Sequence, residues 1–421
     1  MHILIIHQAF AALDEAGGTR HHELARFLVQ KGHQVTVIAS PISYLTGASS
    51  KNAHSSEKHT ENTPAASVTI LRAYTYNALH RSFVHRVFAF LSFMFSSFFV
   101  GLGVKNVDVI WGTSPPIFQG LTAWALARIK RSKFLFEVRD LWPDFAVAVG
   151  VLKNPTLIKM SLWLEGFLYR HADQIMVNSP GYMEHVKNRG AKSVELIPNG
   201  ADPDMFNPLD RGTAFREALQ VNSPEDKFVV LYAGAHGISN DLGVVLECAE
   251  ILSQNPVIHF VFLGDGKEKT NLQARAAEMG LKNVTFLPSV PKNEMSAALA
   301  GSDACIAILK PLDEYKTTYP NKVFDYMAAG RPIVLAIEGV VREVVEMADC
   351  GVFPRPGDAQ DMANAIQFLE AGRAHAVAMG RNGRLYLEEN FSRENLAGKL
   401  SDVFEAITHV PPTGPVSGKQ S

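Results

Sequence analysis

The chain has 421 residues and only three cysteines, Cys248, Cys305 and Cys350. They lie far apart without C-x-x-C spacing. This excludes a disulfide framework and a cysteine-based zinc site, and fits a reducing compartment. Neither sign of charge is in excess, since 40 Lys+Arg against 42 Asp+Glu leave a net charge of -2. A surface without a global basic excess argues against nucleic acid as a partner. No basic segment precedes the apolar start Met1-His2-Ile3-Leu4-Ile5-Ile6. That start therefore reads as a first core strand rather than a secretion signal, and a cytoplasmic chain is expected. No His/Asp/Glu cluster has metal-ligand spacing. Asp202-Pro203-Asp204 is the one D-x-D match, and it falls in an expected interdomain linker. Neither a metal nor a cofactor is expected. The G-x-G-x-x-G dinucleotide fingerprint is missing after the first strand, and the second strand ends Ile38-Ala39-Ser40 with no acid for a ribose.

Apolar residues make up 47% of the chain, and short apolar runs alternate with helical patterns. That alternation predicts an α/β protein with mainly parallel sheets. In the first half, strands are expected at residues 3–6, 35–39, 68–72, 109–111, 134–138, 174–177 and 194–197. In the second half they are expected at 228–233, 259–263, 284–287, 304–308, 333–336 and 351–353. Two Rossmann-like doubly wound domains fit better than one sheet of thirteen strands. The expected units are 1–202, 203–385, a C-terminal helix at 386–409 packing back toward the first domain, and a disordered tail at 410–421. The boundary follows Ile197-Pro198-Asn199-Gly200-Ala201-Asp202, a proline and Asn-Gly turn. Residues 45–66 are polar and aperiodic, and read as a mobile loop on the cleft side of the first domain.

The most informative stretch runs from Tyr319 to Val334. It reads as loop, short helix, tight stop and buried strand. Val323, Phe324 and Met327 are spaced to face a core, while Lys322, Asp325 and Tyr326 lie off that stripe. Gly330 ends the helix and Pro332 prevents its restart. A cation and a carboxylate thus sit on the first turns of a helix whose N-terminus is partially positive. That suits an anion carrying hydroxyls, such as a nucleotide diphosphate sugar. Other strand ends offer Gly17-Gly18 before a helix, Arg139-Asp140, Gly234-Ala235-His236-Gly237, Gly264-Asp265-Gly266 and Leu287. Parallel sheets place ligands at such carboxyl edges. Each also has a plain structural reading: flexible turns for the glycines, and a core histidine for His236. For Arg139-Asp140 it is an ion pair with Glu137 and Asp144 that shapes the loop.

The segment F-D-Y-M-A-A-G-R-P-I-V resembles the donor-site helix of the retaining glycosyltransferases of family 4, which have the GT-B fold. In that family two glutamates stand eight positions apart; here Asp325 occupies the second position and Thr317 the first. I-P-N-G-A-D is similar to the family's interdomain signature. E-V-R-D-L-W-P resembles a subgroup building bacterial O-antigens and capsules, including N-acetylfucosaminyl transferases. Ala235 and Asp241-Leu242 replace the usual diphosphate-binding arginine and lysine, leaving Lys310, Lys316, Lys322 and the amides of residues 235–237 to balance charge. The resemblance implies two Rossmann-like domains facing across a cleft, and a metal-independent hexosyltransferase using a UDP-sugar of the N-acetylhexosamine type. It implies catalytic roles for Arg139, Asp140 and Lys322. It implies donor contacts from Gly234, His236, Gly237, Gly264, Gly266, Leu287, Lys310, Thr317, Thr318, Asn321 and Asp325. Gly17 and Gly18 would border the acceptor and the transferred sugar, and the acceptor would be a polyprenyl-diphosphate-linked glycan. Two other classes stay open: a nucleotide-sugar epimerase or hydrolase, and a binding subunit without turnover.

Residues 87–104 carry no charge and six phenylalanines. They fit either a buried helix or one lying on an anionic membrane surface, with Arg81, His85 and Arg86 at its front edge. The second case places the chain peripherally on the inner face of the cytoplasmic membrane. The Trp163/Phe167 stripe reads as core.

Overall fold

The computed structural model describes residues 1–15, 17–42, 68–77, 83–219 and 225–408. The loop expected at 45–66, the tail at 410–421 and the membrane contact of Arg81 lie outside these residues. All thirteen segments expected as strands form strands. In the first domain these are β1 (His2–Ile6), β2 (Gln34–Ala39), β3 (Thr69–Arg72), β4 (Val109–Ser114), β5 (Lys133–Val138), β6 (Gln174–Val177) and β7 (Val194–Leu196). They form one parallel sheet in the order β3-β2-β1-β4-β5-β6-β7. In the second domain β8 (Phe228–Ala233), β9 (Ile258–Leu263), β10 (Val284–Leu287), β11 (Ala304–Ile308), β12 (Ile333–Ala336) and β13 (Gly351–Val352) follow the order β10-β9-β8-β11-β12-β13. Strands β1, β4, β8, β9 and β11 are buried throughout, the pattern of a sheet covered by helices on both faces. Strand order reverses between β1 and β4 and again between β8 and β11. Each reversal opens a crevice at the carboxyl edge.

The domains meet along the start of the segment that resembles the donor helix. Ser179 Oγ donates to Thr317 O (2.5 Å), Tyr182 OH lies 3.0 Å from Thr318 Oγ1, and Asn199 Nδ2 donates to Tyr319 O (2.6 Å). The C-terminal helix differs from its expected bounds. Helix runs through Arg373–Asn390, breaks, and restarts as Arg393–Thr408. The break arises because the backbone there pairs elsewhere: Ala201 N donates to Phe391 O (3.3 Å) and Arg393 N to Ala201 O (2.8 Å). Phe391 meanwhile packs its ring 4.9 Å from that of Phe324. The final helix packs on helix Arg20–Gln30 of the first domain, where Leu396, Leu400 and Phe404 join its core.

Helix Phe83–Gly103 satisfies part of each expectation. Its stretch His85–Gly103 is long and apolar enough to cross a membrane by length and composition, with a mean hydropathy of 1.6. Yet Ala89, Phe93 (0% exposed), Ser97 and Gly101, four apart, are buried in the first domain. Thr122 Oγ1 of helix Phe118–Lys130 donates to Met94 O (2.8 Å). The opposite face leaves Phe88, Phe95 (60%) and Phe99 (68%) exposed. Trp163 corrects the core reading of its stripe: it is 63% exposed on helix Pro155–His171, and only its neighbour Phe167 packs against the core. The i, i+4 spacing that suggested a core stripe instead stacks Trp163 on Phe167, with ring centroids 5.5 Å apart.

Candidate active site in the interdomain cleft

Helix Asn321–Ala328 begins after Pro320 and buries Val323, Phe324 and Met327. Tyr326, placed off the core stripe by spacing, is also buried. Its hydroxyl accepts from Ala233 N (3.1 Å) and lies 3.2 Å from Ala233 O, so the end of β8 supplies partners for a buried phenol. On the first turn, Lys322 Nζ donates to Tyr232 OH (2.8 Å) and sits 3.9 Å from the centre of that ring. No carboxylate pairs with Lys322 among the described residues. Burial lowers its pKa from 10.5 to about 7. A Cβ added to Gly234 would lie 3.0 Å from Lys322 Nζ, so the ammonium lies directly against the end of β8.

The glycines around it permit a close approach of three strand ends. A Cβ on Gly264, whose φ is +147°, would lie 1.9 Å from Gly234 O. Lys269 ties these ends together, donating to Gly264 O (2.8 Å), Asp265 Oδ1 (2.9 Å) and Leu287 O (2.9 Å). His236 is fully buried, with rings of Tyr232, Phe262 and Phe286 about it, and neither ring nitrogen has a partner among the described residues. Burial, then the Lys269 charge, lowers its pKa to about 4, so it is a neutral imidazole. Lys310 N donates to Ser239 O (2.9 Å), and the Lys310 ammonium influences Asp241. Lys316 instead pairs with Asp313 at the surface (2.6 Å).

Asp325 and Asn321 face the junction with the first domain. Asp325 Oδ1 accepts from Lys292 Nζ (2.5 Å), and burial raises its pKa while Lys292 opposes the rise. Asn321 Oδ1 accepts from Arg393 Nη2 (3.3 Å). Arg393 also binds the fully buried Glu23 (2.8 Å). Burial works upward on Glu23, but Arg393 and Lys292 outweigh it and its pKa falls to about 2. Lys292, Arg393 and Tyr232 were not found from sequence. The spacing of local motifs carries no trace of partners 33, 72 and 90 residues away. Thr317, in the first-glutamate position, donates its hydroxyl to Glu314 O (2.6 Å). Its main chain, like the Thr318 hydroxyl, is engaged by the first domain.

On the first-domain side, Arg139 Nη2 donates to Pro115 O (2.8 Å), and its buried Nε has no partner among the described residues. Arg139 forms no ion pair with Glu137 or Asp144. Glu137 is instead claimed by Arg20 (3.1 Å), His21 (2.5 Å) and Trp111 Nε1 (3.1 Å), while Asp144 pairs with Arg189 (3.0 Å). Burial raises the Asp140 pKa to about 6, against the charge of Arg139. No hydrogen bond or ion pair engages the Asp140 carboxylate among the described residues. Its charge reaches Tyr182 of the first domain and Tyr315 of the second, so Asp140 lies at the domain junction. Gly17 and Gly18 are exposed just before helix Arg20–Gln30.

Two doubly wound domains thus carry glycine-rich strand ends, a half-buried lysine without an ion-pair partner among the described residues, and an unengaged Asp140 carboxyl at the domain junction. Residues 16–200 match the model of a glycosyl transferase 4-like domain, and residues 215–386 match that of glycosyl transferases group 1. The chain belongs to the glycosyltransferases of the GT-B fold. It is 24% identical over 384 residues to the putative colanic acid biosynthesis glycosyl transferase WcaI of Escherichia coli (strain K12), covering 89% of this chain and 92% of that one. The structure is similar to that of sucrose-phosphate synthase (tll1590) from Thermosynechococcus elongatus, with a TM-score of 0.76 at 20% identity, over 96% of this chain and 98% of that one. It is also similar to Anabaena Alr3699/HepE in complex with UDP-glucose, with a TM-score of 0.70 at 16% identity, over 96% of this chain and all of that one.

Proposed function

We propose that the chain is a retaining glycosyltransferase of cell-surface glycan synthesis. It moves a hexosyl group of the N-acetylhexosamine type from a UDP-sugar to a polyprenyl-diphosphate-linked glycan. The observation that carries this reading is Lys322, a half-buried amine with no ion-pair partner among the described residues, at the convergence of three strand ends. A diphosphate placed there supplies the missing negative charge, and the charge of the departing diphosphate is what the site stabilises. Lys310 and the amides of Ala235 and Gly237 add to that field, while the His236 amide is spent on Asp265 O (2.9 Å). Asn321 and Asp325 bind the ribose side, with Lys292 yielding part of its hold on Asp325. The acceptor hydroxyl attacks from the leaving-group face, and the departing diphosphate oxygen takes its proton. Arg139 and Asp140 position donor and acceptor across the cleft. The N-acetylfucosaminyl subgroup suggested by E-V-R-D-L-W-P narrows the donor sugar further.

The lipid-linked acceptor and the inner face of the cytoplasmic membrane as its location are supported by the helical layer of the first domain. Helices Phe83–Gly103 and Phe118–Lys130 hold no acidic residue, and the one acid of Pro155–His171, Glu165, is fully buried. Exposed Phe88, Phe95, Phe99, Met160 and Trp163 share that layer with exposed Arg86, Arg128 and Lys159. An apolar face with cations and no exposed acid suits an anionic lipid surface. The test is a panel of nucleotide sugars in thermal-shift assays, since a ligand of the folded state raises its apparent stability. The donor so found is then incubated with a lipid-linked acceptor and the product's anomeric configuration determined by NMR. A retained configuration supports the reading. Equal donor turnover without acceptor indicates a hydrolase or epimerase, and binding without turnover a non-catalytic subunit.

A further inference from the structure

A second cavity, of about 320 Å³, lies on the far side of the second domain from the cleft, where the linker, the turn after helix Asn321–Ala328 and helix Arg373–Asn390 come together. Its lining holds five arginines, Arg211, Arg331, Arg373, Arg381 and Arg384, and one acid, Asp303. Asp303 is already engaged: its Oδ2 accepts from Arg216 Nη2 (2.7 Å) and from Val229 N (2.7 Å). Arg211 and Arg381 have no hydrogen bond or ion pair among the described residues. Arg331 is 6% exposed, spends one nitrogen on Asp210 O (2.8 Å), and leaves its buried Nε without a partner. Burial holds the Arg331 guanidinium below its usual value; Cys305 and Asp303 oppose this, and the like charges of Arg211 and Arg216 add to it. A buried guanidinium that keeps an empty donor beside further arginines is costly unless an anion completes it. Arg384 pairs with Glu388 and Arg373 with Glu370 (3.9 Å), so the donors open to a ligand are the forks of Arg211 and Arg381 and the Nε of Arg331, which match a tetrahedral anion with several oxygens better than they match water.

We propose that this cavity is a binding site for a small phosphate-bearing anion, separate from the interdomain cleft. The volume accommodates a phosphate with a short organic group attached. Its position ties it to the cleft. Arg384 Nη1 donates to Pro203 O (2.8 Å) and Phe206 O (3.1 Å) of the linker and to Ala328 O (2.6 Å), the last carbonyl of the helix that carries Lys322 at its other end. A ligand in the cavity therefore adjoins the residue that holds that helix to the linker. The proposal does not depend on which sugar the enzyme transfers.

Inorganic pyrophosphate is the probe, followed by calorimetric titration of the full chain. Three proteins are compared: wild type, Lys322→Ala, which removes the cation of the cleft, and Lys322→Ala with Arg211→Gln/Arg381→Gln added. Both arginines are exposed, so their replacement is expected to leave the melting temperature of Lys322→Ala unchanged without ligand. The expected result is binding that persists in Lys322→Ala and weakens at least tenfold when the two arginines are also replaced. Binding that Lys322→Ala removes, or that the added replacements leave intact, overturns the proposal. So does an absence of binding to wild type, or an effect that sodium chloride at matched ionic strength reproduces.

Discussion

Replacing Lys322 by Met separates the cost of a buried charge from its use. A pKa lowered from 10.5 to about 7 corresponds to about 5 kcal/mol of disfavour for the ammonium in the folded protein. The contacts of Nζ repay part of it: about 1 kcal/mol for the ring of Tyr232 and about 1 kcal/mol for the hydrogen bond to its hydroxyl. Tyr232 does not lose its only partner in the variant, because its hydroxyl donates to Ala235 O (2.7 Å). Lys322→Met is thus expected to stabilise the ligand-free protein by about 2 kcal/mol near pH 7, allowing for solvent that reaches the half-buried side chain. The sign follows from the depressed pKa. The penalty is fully present below about pH 7, where the amine is charged in both folded and unfolded chains, and it fades as pH rises toward 10.5. The gain of the variant must fade in the same window. Catalysis moves the other way: loss of the diphosphate cation is expected to lower kcat/KM by about 2–4 kcal/mol of transition-state stabilisation. Urea melts at pH 7 and pH 10 and initial rates on the identified donor measure both. A variant less stable than wild type at pH 7, or one with wild-type kinetics, refutes the assignment.

Asp140 predicts an acid limb. With its pKa raised to about 6 by burial, kcat/KM is expected to fall below pH 6 as the carboxylate protonates, and Asp140→Asn should be slow at all pH values with that limb gone. Arg393→Met strands the fully buried Glu23 carboxylate and is expected to cost about 3–5 kcal/mol in chemical denaturation. Adding Glu23→Gln to it should recover part of that loss. Serine at the exposed Phe88, Phe95 and Phe99 is expected to leave the melting temperature unchanged while reducing co-sedimentation with anionic vesicles. Serine at the buried Phe93 should destabilise by about 3 kcal/mol or more, and equal effects of the two sets exclude a lipid-facing role. Activity is expected to survive excess EDTA, as a leaving group stabilised by lysine and amides requires no divalent ion; loss restored by Mg²⁺ would contradict it.

The strands were legible because parallel sheets covered on both faces demand unbroken apolar runs, and each run here is bounded by turn residues. Helix Asn321–Ala328 was legible from Gly330 and the Val323/Phe324/Met327 spacing, and Lys322 with it. What spacing could not show was the partner of a polar group. Spacing puts Tyr326 off the core stripe, yet it is buried, because its phenol finds hydrogen-bond partners at the end of β8, far away in sequence. The local pattern likewise shows no partner for Asp325, which the fold brings to Lys292. The error at Trp163 has the opposite origin. An aromatic pair at i, i+4 is the same on paper whether another layer covers it or nothing does.

The backbone exchange between Ala201 and residues 391–393 makes the polypeptide pass between the domains twice, at adjoining points. A single tether would let one body swivel about any axis through it. Two tethers laced side by side remove the twisting and sliding modes and leave opening and closing about the line that joins them. The last helix, although it completes the first domain's core, thereby restricts how the second can approach it. Cutting the chain between Asn390 and Arg393 would loosen the direction of that motion without touching a residue of the cleft.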